Sequence, residues 1–321
     1  MTKHFKRPLQ WGLLCMGIML MTGCQQSEVE NSESNDFHMS IVARIGNLTE
    51  AQASRYGGDE PNHAEFAEND CIGVFMDEDE ALKWTYGLSG WTAETLVYWP
   101  DKTEEHSFCA FYPYAEATST EEVPMPDLKS QAGTMESLSA CDFLVAATTQ
   151  SYGTDGTVAF YGEGKSFSHV SSLLKLTIKG DGDLQTSTLD KISIAGTNIV
   201  APSTYSFVDK AVTLSPDTDS DLLETSPSHE MNGADATYYF IVNEKLDASE
   251  TVTLTIEYTT AGKTYVASME NFAGNTFAGG MQQSYTITIK DSSLIISGSE
   301  IEPWGEGETL EDIIINGDEK A

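Results

Sequence analysis

Apolar and polar residues alternate along much of this chain with a period of two. Val252, Leu254, Ile256 and Tyr258 are interleaved with Thr251, Thr253, Thr255 and Glu257. The pattern recurs at Leu174, Leu176 and Ile178, at Tyr285, Ile287 and Ile289, and at Phe37, Met39, Ile41, Ala43 and Ile45. Successive side chains of a strand point to opposite faces, so this spacing predicts half-buried antiparallel strands. Enrichment in Thr, Val, Ile and Tyr agrees. Aromatic-rich runs at 72–75, 96–99, 108–114 and 143–146 predict further strands. Gly, Asp, Asn and Ser clusters at 56–59, 180–183 and 217–221 mark turns between them. No long helical period interrupts the series. Many short strands between turn signals make an all-β, Greek-key β-sandwich fold the expectation.

The first 36 residues break the pattern. Lys3, Lys6 and Arg7 precede an apolar run at 11–21, which ends in Met21-Thr22-Gly23-Cys24. The run is about half the ~20 residues of a membrane-spanning helix and suits a secretory signal. Its end resembles the bacterial lipobox, in which the Cys is lipidated and becomes the first mature residue. We therefore expect a signal peptide at 1–23 and lipid on Cys24. Residues 25–36 are polar and acidic with Val29 as their only aliphatic side chain. Such a segment buries too little apolar surface to offset its ordering entropy and reads as a leash over 24–36. Two folded domains are expected beyond it, at 37–165 and 166–321, divided near Gly162-Glu163-Gly164.

Charge narrows the function. The signal carries three basic residues and no acid, so the mature chain holds 14 Lys and Arg against 50 Asp and Glu, a net charge of −36. Nucleic-acid binding needs basic, phosphate-contacting surface and is excluded as a reading. Attachment to anionic lipid headgroups is disfavoured for the same reason. Cys71, Cys109 and Cys141 remain after the lipidated Cys24. Three thiols allow at most one disulfide, and no C-x-x-C pair suggests a metal site. Cys71 and Cys109 lie in apolar runs and are expected to be buried thiols.

Neither H-E-x-x-H nor G-x-S-x-G occurs. Gly162-Glu163-Gly164-Lys165-Ser166 imitates the end of a P-loop, but Ala159 stands where the first Gly is required. His169, between Ser168 and Val170, has no companion motif and is expected to be structural. The acidic runs 77–80 and 217–221 lack the spaced ligands and Gly of a calcium loop and are expected to be solvated. Trp84, Trp91 and Trp99 at strand spacing are expected in a core. No catalytic residue, metal or cofactor is therefore expected, and the chain reads as a non-enzyme.

Short motifs follow one another in a recognisable order: Asn69-Asp70-Cys71-Ile72-Gly73-Val74-Phe75, Val97-Tyr98-Trp99-Pro100, Phe108-Cys109-Ala110-Phe111-Tyr112-Pro113-Tyr114, Asp142-Phe143-Leu144-Val145-Ala146, Phe167-Ser168-His169-Val170, Ala278-Gly279-Gly280 and Ile301-Glu302-Pro303-Trp304. With the lipobox ahead of them, they resemble the fimbrillin family of pilus subunits. The resemblance spans nearly the whole chain. It departs at Cys71, where the family more often has a polar residue, and at Asn69-Asp70, which replaces Gly-Asp. It implies two tandem transthyretin-like sandwiches. It also implies an outer-membrane lipoprotein precursor, cut by an arginine-specific protease in the loop after its first strand. That strand then leaves, and a strand from another pilus subunit fills the groove in a cell-surface fimbrium. A tip adhesin or a surface lipoprotein binding glycan or host protein is the alternative.

The residues allow this to be mapped. After the signal the chain holds two arginines, Arg44 and Arg55. Arg55 lies in a small, polar, Gly-terminated stretch, the kind of segment proteases reach, and is the expected cleavage site. Arg44 lies inside an alternating strand and is the second choice. Cleavage at Arg55 would displace a first strand carrying Phe37, Met39 and Ile41. The segment 309–316, with Ile313, Ile314 and Ile315 after Gly305-Glu306-Gly307, reads either as a donor strand or as a last edge strand.

Overall fold

The computed structural model describes residues 37–46, 65–77, 80–215, 222–233, 235–290 and 293–304. Cys24, Arg55 and Ile313 to Ile315 lie outside them. The first half contributes β1 (Ser40–Ala43), β2 (Cys71–Met76), β3 (Leu82–Gly87), β4 (Gly90–Ala93), β5 (His106–Tyr112), β6 (Val123–Pro124), β7 (Leu144–Gln150), β8 (Thr157–Phe160) and β9 (Ser168–His169). The next strands are β10 (Ser172–Gly180), β11 (Thr188–Ala195), β12 (Ser203–Ser206), β13 (Ala211–Leu214), β14 (Leu222–Thr225) and β15 (His229–Glu230). The last are β16 (Ala236–Val242), β17 (Thr253–Thr260), β18 (Lys263–Glu270), β19 (Met281–Lys290) and β20 (Ser293–Pro303). Among the described residues the helices are three short 3-10 turns. The fold is all-β, as the alternation requires.

Two larger cores result. In the first, a six-stranded sheet in the order β4-β3-β2-β5-β7-β9 presents one face to the parallel pair β1-β8. Ile72, Val74, Phe108, Ala110, Leu144 and Ala146 supply that face, and Trp84, Trp91 and Trp99 are buried with them. The opposite face carries Phe75, Phe111 and Phe143, which pack with Val123 and Tyr205. Gly73 pairs with Phe111, whose ring would lie 2.3 Å from a Cβ at position 73. Glycine is needed there because the aromatic ring occupies the side-chain position.

The second core lies between the sheets β16-β10-β19-β20 and β14-β11-β17-β18, with β15 on β11. Leu174, Leu176 and Ile178 of β10 meet Leu254, Ile256 and Tyr258 of β17, as their period predicts. Leu128, Leu138 and Cys141, which precede the expected domain division, also belong to this core. A small sheet, β13-β12-β6, joins the two halves, with Tyr205 of β12 opposite Val123 of β6.

Two expectations require correction. Residues 96–99 were expected as a strand, but they form an extended segment with one isolated bridge, between Tyr98 and His38, and Leu96 is exposed. Their partner is the distant first strand and not a sequential neighbour. Cys71, at the first position of β2, and Cys109, at the rim of the smaller aromatic cluster, are half-buried and only Cys141 is buried; all three are free. The acidic run at 77–80 is exposed where it is described, at Asp77 and Glu80, and Asp77 also bonds to the ring of His106.

Candidate functional site

The first strand occupies a slot with two walls. One wall is β8, paired in parallel with β1 from Ser40 opposite Thr157 to Ala43 opposite Phe160. Ser40 N–H donates to the Gly156 carbonyl at 3.2 Å, and Arg44 N–H donates to Phe160 at 2.9 Å. Phe167 N–H then donates to Arg44 at 2.9 Å, and Gly46 N–H to Phe167 at 2.7 Å. The other wall is the segment 97–99. Met39 N–H donates to the Val97 carbonyl, and Trp99 N–H to that of Phe37, both at 2.8 Å. Residues 37 and 39 are thus bonded to the 97–99 segment, and residues 40–46 to β8 and Phe167.

Its side chains follow the sequence period. Met39, Ile41 and Ile45 are buried in the first core, while Val42 faces solvent. At ~1.5–3 kcal/mol for each apolar side chain, these three contribute several kcal/mol of burial, gross of ordering entropy. Phe37 is half-buried at the strand's start. Its ring meets Tyr152 edge-on at 5.8 Å, and Lys102 Nζ lies 4.2 Å from its centroid.

Trp99 ties the walls together. Its indole N–H donates to the Gly156 carbonyl at 2.8 Å, the same oxygen that receives Ser40 N–H. Gly156 has φ +73°, and a Cβ there would lie 2.5 Å from the His38 carbonyl oxygen. Only glycine lets β8 approach the first strand this closely. On the far side of β8, the Gln150 side chain behaves like a strand neighbour. Its amide brackets Ala159, donating to the carbonyl and accepting from the N–H, each at 3.4 Å.

The 97–104 segment is itself anchored. Asp101 Oδ1 accepts from the N–H groups of Thr103 and Glu104, each at 2.7 Å. These bonds hold the Asp101 carboxyl below its ordinary range. Its other oxygen lies 3.4 Å from Nε2 of buried His106. Nδ1 of that ring bonds to Asp77 at 2.8 Å. The Asp77 bond raises the His106 pKa, burial opposes it, and Asp101 adds to the rise. Burial pushes Asp77 up, but its bonds from His106 and Ser107 N–H prevail and leave it lowered.

Of the residues singled out from sequence, Phe37, Met39, Ile41 and Arg44 therefore come together in one place. Arg44 is bonded through both backbone groups, and its guanidinium lies 5.8 Å from the centre of the Tyr161 ring. Trp99, Gly156, Lys102, His106 and Gln150 were not read as functional. Only the Tyr-Trp-Pro motif signalled any of them, and it carries no hint of a partner. His169 lies elsewhere. It bonds through Nδ1 to buried Asp142 at 2.9 Å and stacks on Trp304 at 3.7 Å. Its Nε2 has no hydrogen-bond partner among the described residues. No cluster of metal-ligating side chains occurs among the described residues. Burial pushes the Cys109 thiol up to about 11, which keeps it protonated and unreactive.

A family model described as "Fimbrillin-like" matches residues 57–304. The chain belongs to the fimbrillin-like family. Among relatives of this fimbrillin-like chain is a Bacteroides uniformis protein named "Putative fimbrium subunit Fim1C". It is 24% identical over 92% of this chain and 97% of its own. Two crystal structures have a similar fold, each titled as a "putative cell adhesion protein". The one from Bacteroides uniformis has a TM-score of 0.55 at 20% identity, covering 84% of this chain and all of that one. The one from Bacteroides ovatus has a TM-score of 0.56 at 16% identity, covering 86% and 99%.

Proposed function

We propose that this chain is a structural subunit of a fimbria, exported as a lipoprotein through Cys24 and matured by removal of its first strand. The observation that carries this reading is the docking of β1. It is the first described strand, it pairs with β8 while Phe37 and Met39 just before it bond to the 97–99 segment, and the run 39–45 fills the first core with Met39, Ile41 and Ile45. A cut after Arg55 would sever it from the rest of the chain. Its departure would leave the β8 edge unpaired, and the freed groups of Val97 and Trp99 beside its entry end, above an apolar floor. Such a slot takes an incoming strand by main-chain bonding, with side-chain pockets fixing register.

An arginine-specific protease is the proposed partner in maturation, and other pilus subunits are the partners in assembly. Cys24 lipid would hold the precursor in the outer membrane until release into a cell-surface fimbrium. Arg55 is preferred over Arg44, whose paired backbone resists the extended conformation a protease needs. Ile313, Ile314 and Ile315 are the proposed donor residues. In this reading residues 37–165 and 166–321 act as two β-sandwich domains.

The test is treatment of the purified full chain with an arginine-specific protease, followed by mass measurement of the new N-terminus and a gel for detergent-resistant ladders. A single cut giving Tyr56 as first residue, with ladders, is expected. A clean cut without ladders would favour a tip adhesin or surface lipoprotein, and a resistant chain would defeat the maturation step.

A further inference from the structure

His106 stands between two carboxylates on separate elements, and a neutral imidazole cannot serve both. Asp77, just beyond β2, takes the Nδ1 proton at 2.8 Å and also accepts from Ser107 N–H at 2.9 Å. With that proton on Nδ1, a neutral ring leaves only a lone pair on Nε2, which lies 3.4 Å from Asp101 Oδ2 and forms no hydrogen bond among the described residues. Two acceptors then face each other beside a largely buried ring. The imidazolium instead carries N–H on both nitrogens and attracts both carboxylates. The Asp101 link thus needs the imidazolium, whereas the Asp77 bond forms in both states and is strengthened by the second proton.

Asp101 is connected to the first strand. It lies two residues from Trp99 and adjoins Lys102. Trp99 bonds to Phe37 and, through its indole, to Gly156. Lys102 covers the rings of Phe37 and Tyr152 at 4.2 and 5.2 Å. The Trp99 ring at 6.0 Å and Gln150, its partner across β5 and β7, are neighbours of His106 that do not ionise. The carboxylates of Glu104 and Glu105 immediately precede β5, and Glu104 N–H is already engaged by Asp101.

We propose that His106 is a positioning residue whose second proton, taken from bulk water, closes the 97–104 segment onto the N-terminal end of the first strand. In the imidazolium state Asp101 is drawn toward β5, and Trp99 and Lys102 are held against Phe37. In the neutral state that link is lost and the strand's entry end is released more readily. The consequence for strand removal rests on the maturation reading above; the clamp itself does not. The sign agrees with linkage. A histidine with a raised folded pKa adds stability below its unfolded pKa and loses it as pH rises through the folded value.

The experiment is hydrogen exchange of the full chain in detergent between pH 5.5 and 8.5, read as protection factors corrected for intrinsic rates. Peptides covering 37–43 and 97–104 are compared with β10 as an internal control. Protection of the first two should fall by roughly two- to fivefold with rising pH, the range for a partly exposed ion pair. Protection of β10 should hold constant. His106→Gln should flatten the profile. Asp101→Asn keeps the Asp77 bond and should flatten it too, so a folding failure in the first variant does not remove the test. A flat wild-type profile, or an unchanged fall in Asp101→Asn, overturns the proposal. Fibre assembly is not read, so failure of the maturation reading would show separately in the Arg55 experiments.

Discussion

Trp99 and Gly156 meet beneath the first strand, where the indole N–H of one donates to the carbonyl of the other at 2.8 Å. They are the direct link between the two walls of the slot. The same carbonyl accepts from Ser40, so strand and walls share one acceptor. Trp99→Phe retains an aromatic ring in the core but removes this donor. Urea unfolding should show a loss of about 1 kcal/mol or somewhat more, because a buried carbonyl loses one of its partners. Exchange at Met39 and Ser40 should accelerate.

Gly156→Ala tests the closeness of approach. The position has positive φ, and the new Cβ would press on the His38 carbonyl. A left-handed alanine costs about 1–2 kcal/mol, and the clash adds to it. Thermal melts should shift downward. Limited proteolysis should reveal early loss of the N-terminal segment, while exchange in β10 and β17 stays slow.

Ile41→Ala separates the precursor from the matured chain. In the uncleaved protein a buried isoleucine truncation should cost about 2–5 kcal/mol. After cleavage and loss of the strand, variant and wild type become the same polypeptide and should melt identically. Unequal melts after cleavage would mean that the strand stays bound.

Arg55→Ala should block the cut and the ladders while the monomer keeps its melting temperature. Arg44→Ala should leave cutting intact. Normal polymer from the Arg55 variant would transfer the role elsewhere.

The Asp77–His106–Asp101 cluster should give the slot an acid limit as well as an alkaline one. Asp77 and Asp101 are both held below the ordinary carboxylate range. Each contributes above its unfolded pKa and loses that contribution as pH falls through its lowered folded value. Protection of 97–104 should therefore peak between about pH 4 and 6.5, bounded by the carboxylate and imidazole reference values. Asp77→Asn should weaken both limits, and exchange across pH 3–8.5 would measure it.

Local pattern decided much of this protein. The period-two runs placed β1, β10, β17 and β19 and named their inward residues, because side-chain direction in a strand depends only on sequence parity. The same parity put Trp84, Trp91 and Trp99 in the core, where all three are found. The ordered motifs pointed to the family. Net charge argues against nucleic acid, since it sums over residues without regard to position.

Which strands would be neighbours was not legible. The first strand pairs with β8 across 117 residues, from Ser40 to Thr157, and Trp99 reaches Gly156 across 57. Asp77 meets His106 across 29, in a run the sequence presented only as acidic. Such partnerships arise from the packing of whole sheets, where every apolar face must be covered and every buried backbone group bonded. Alternation states that a residue faces inward. The tertiary structure alone decides what it meets there.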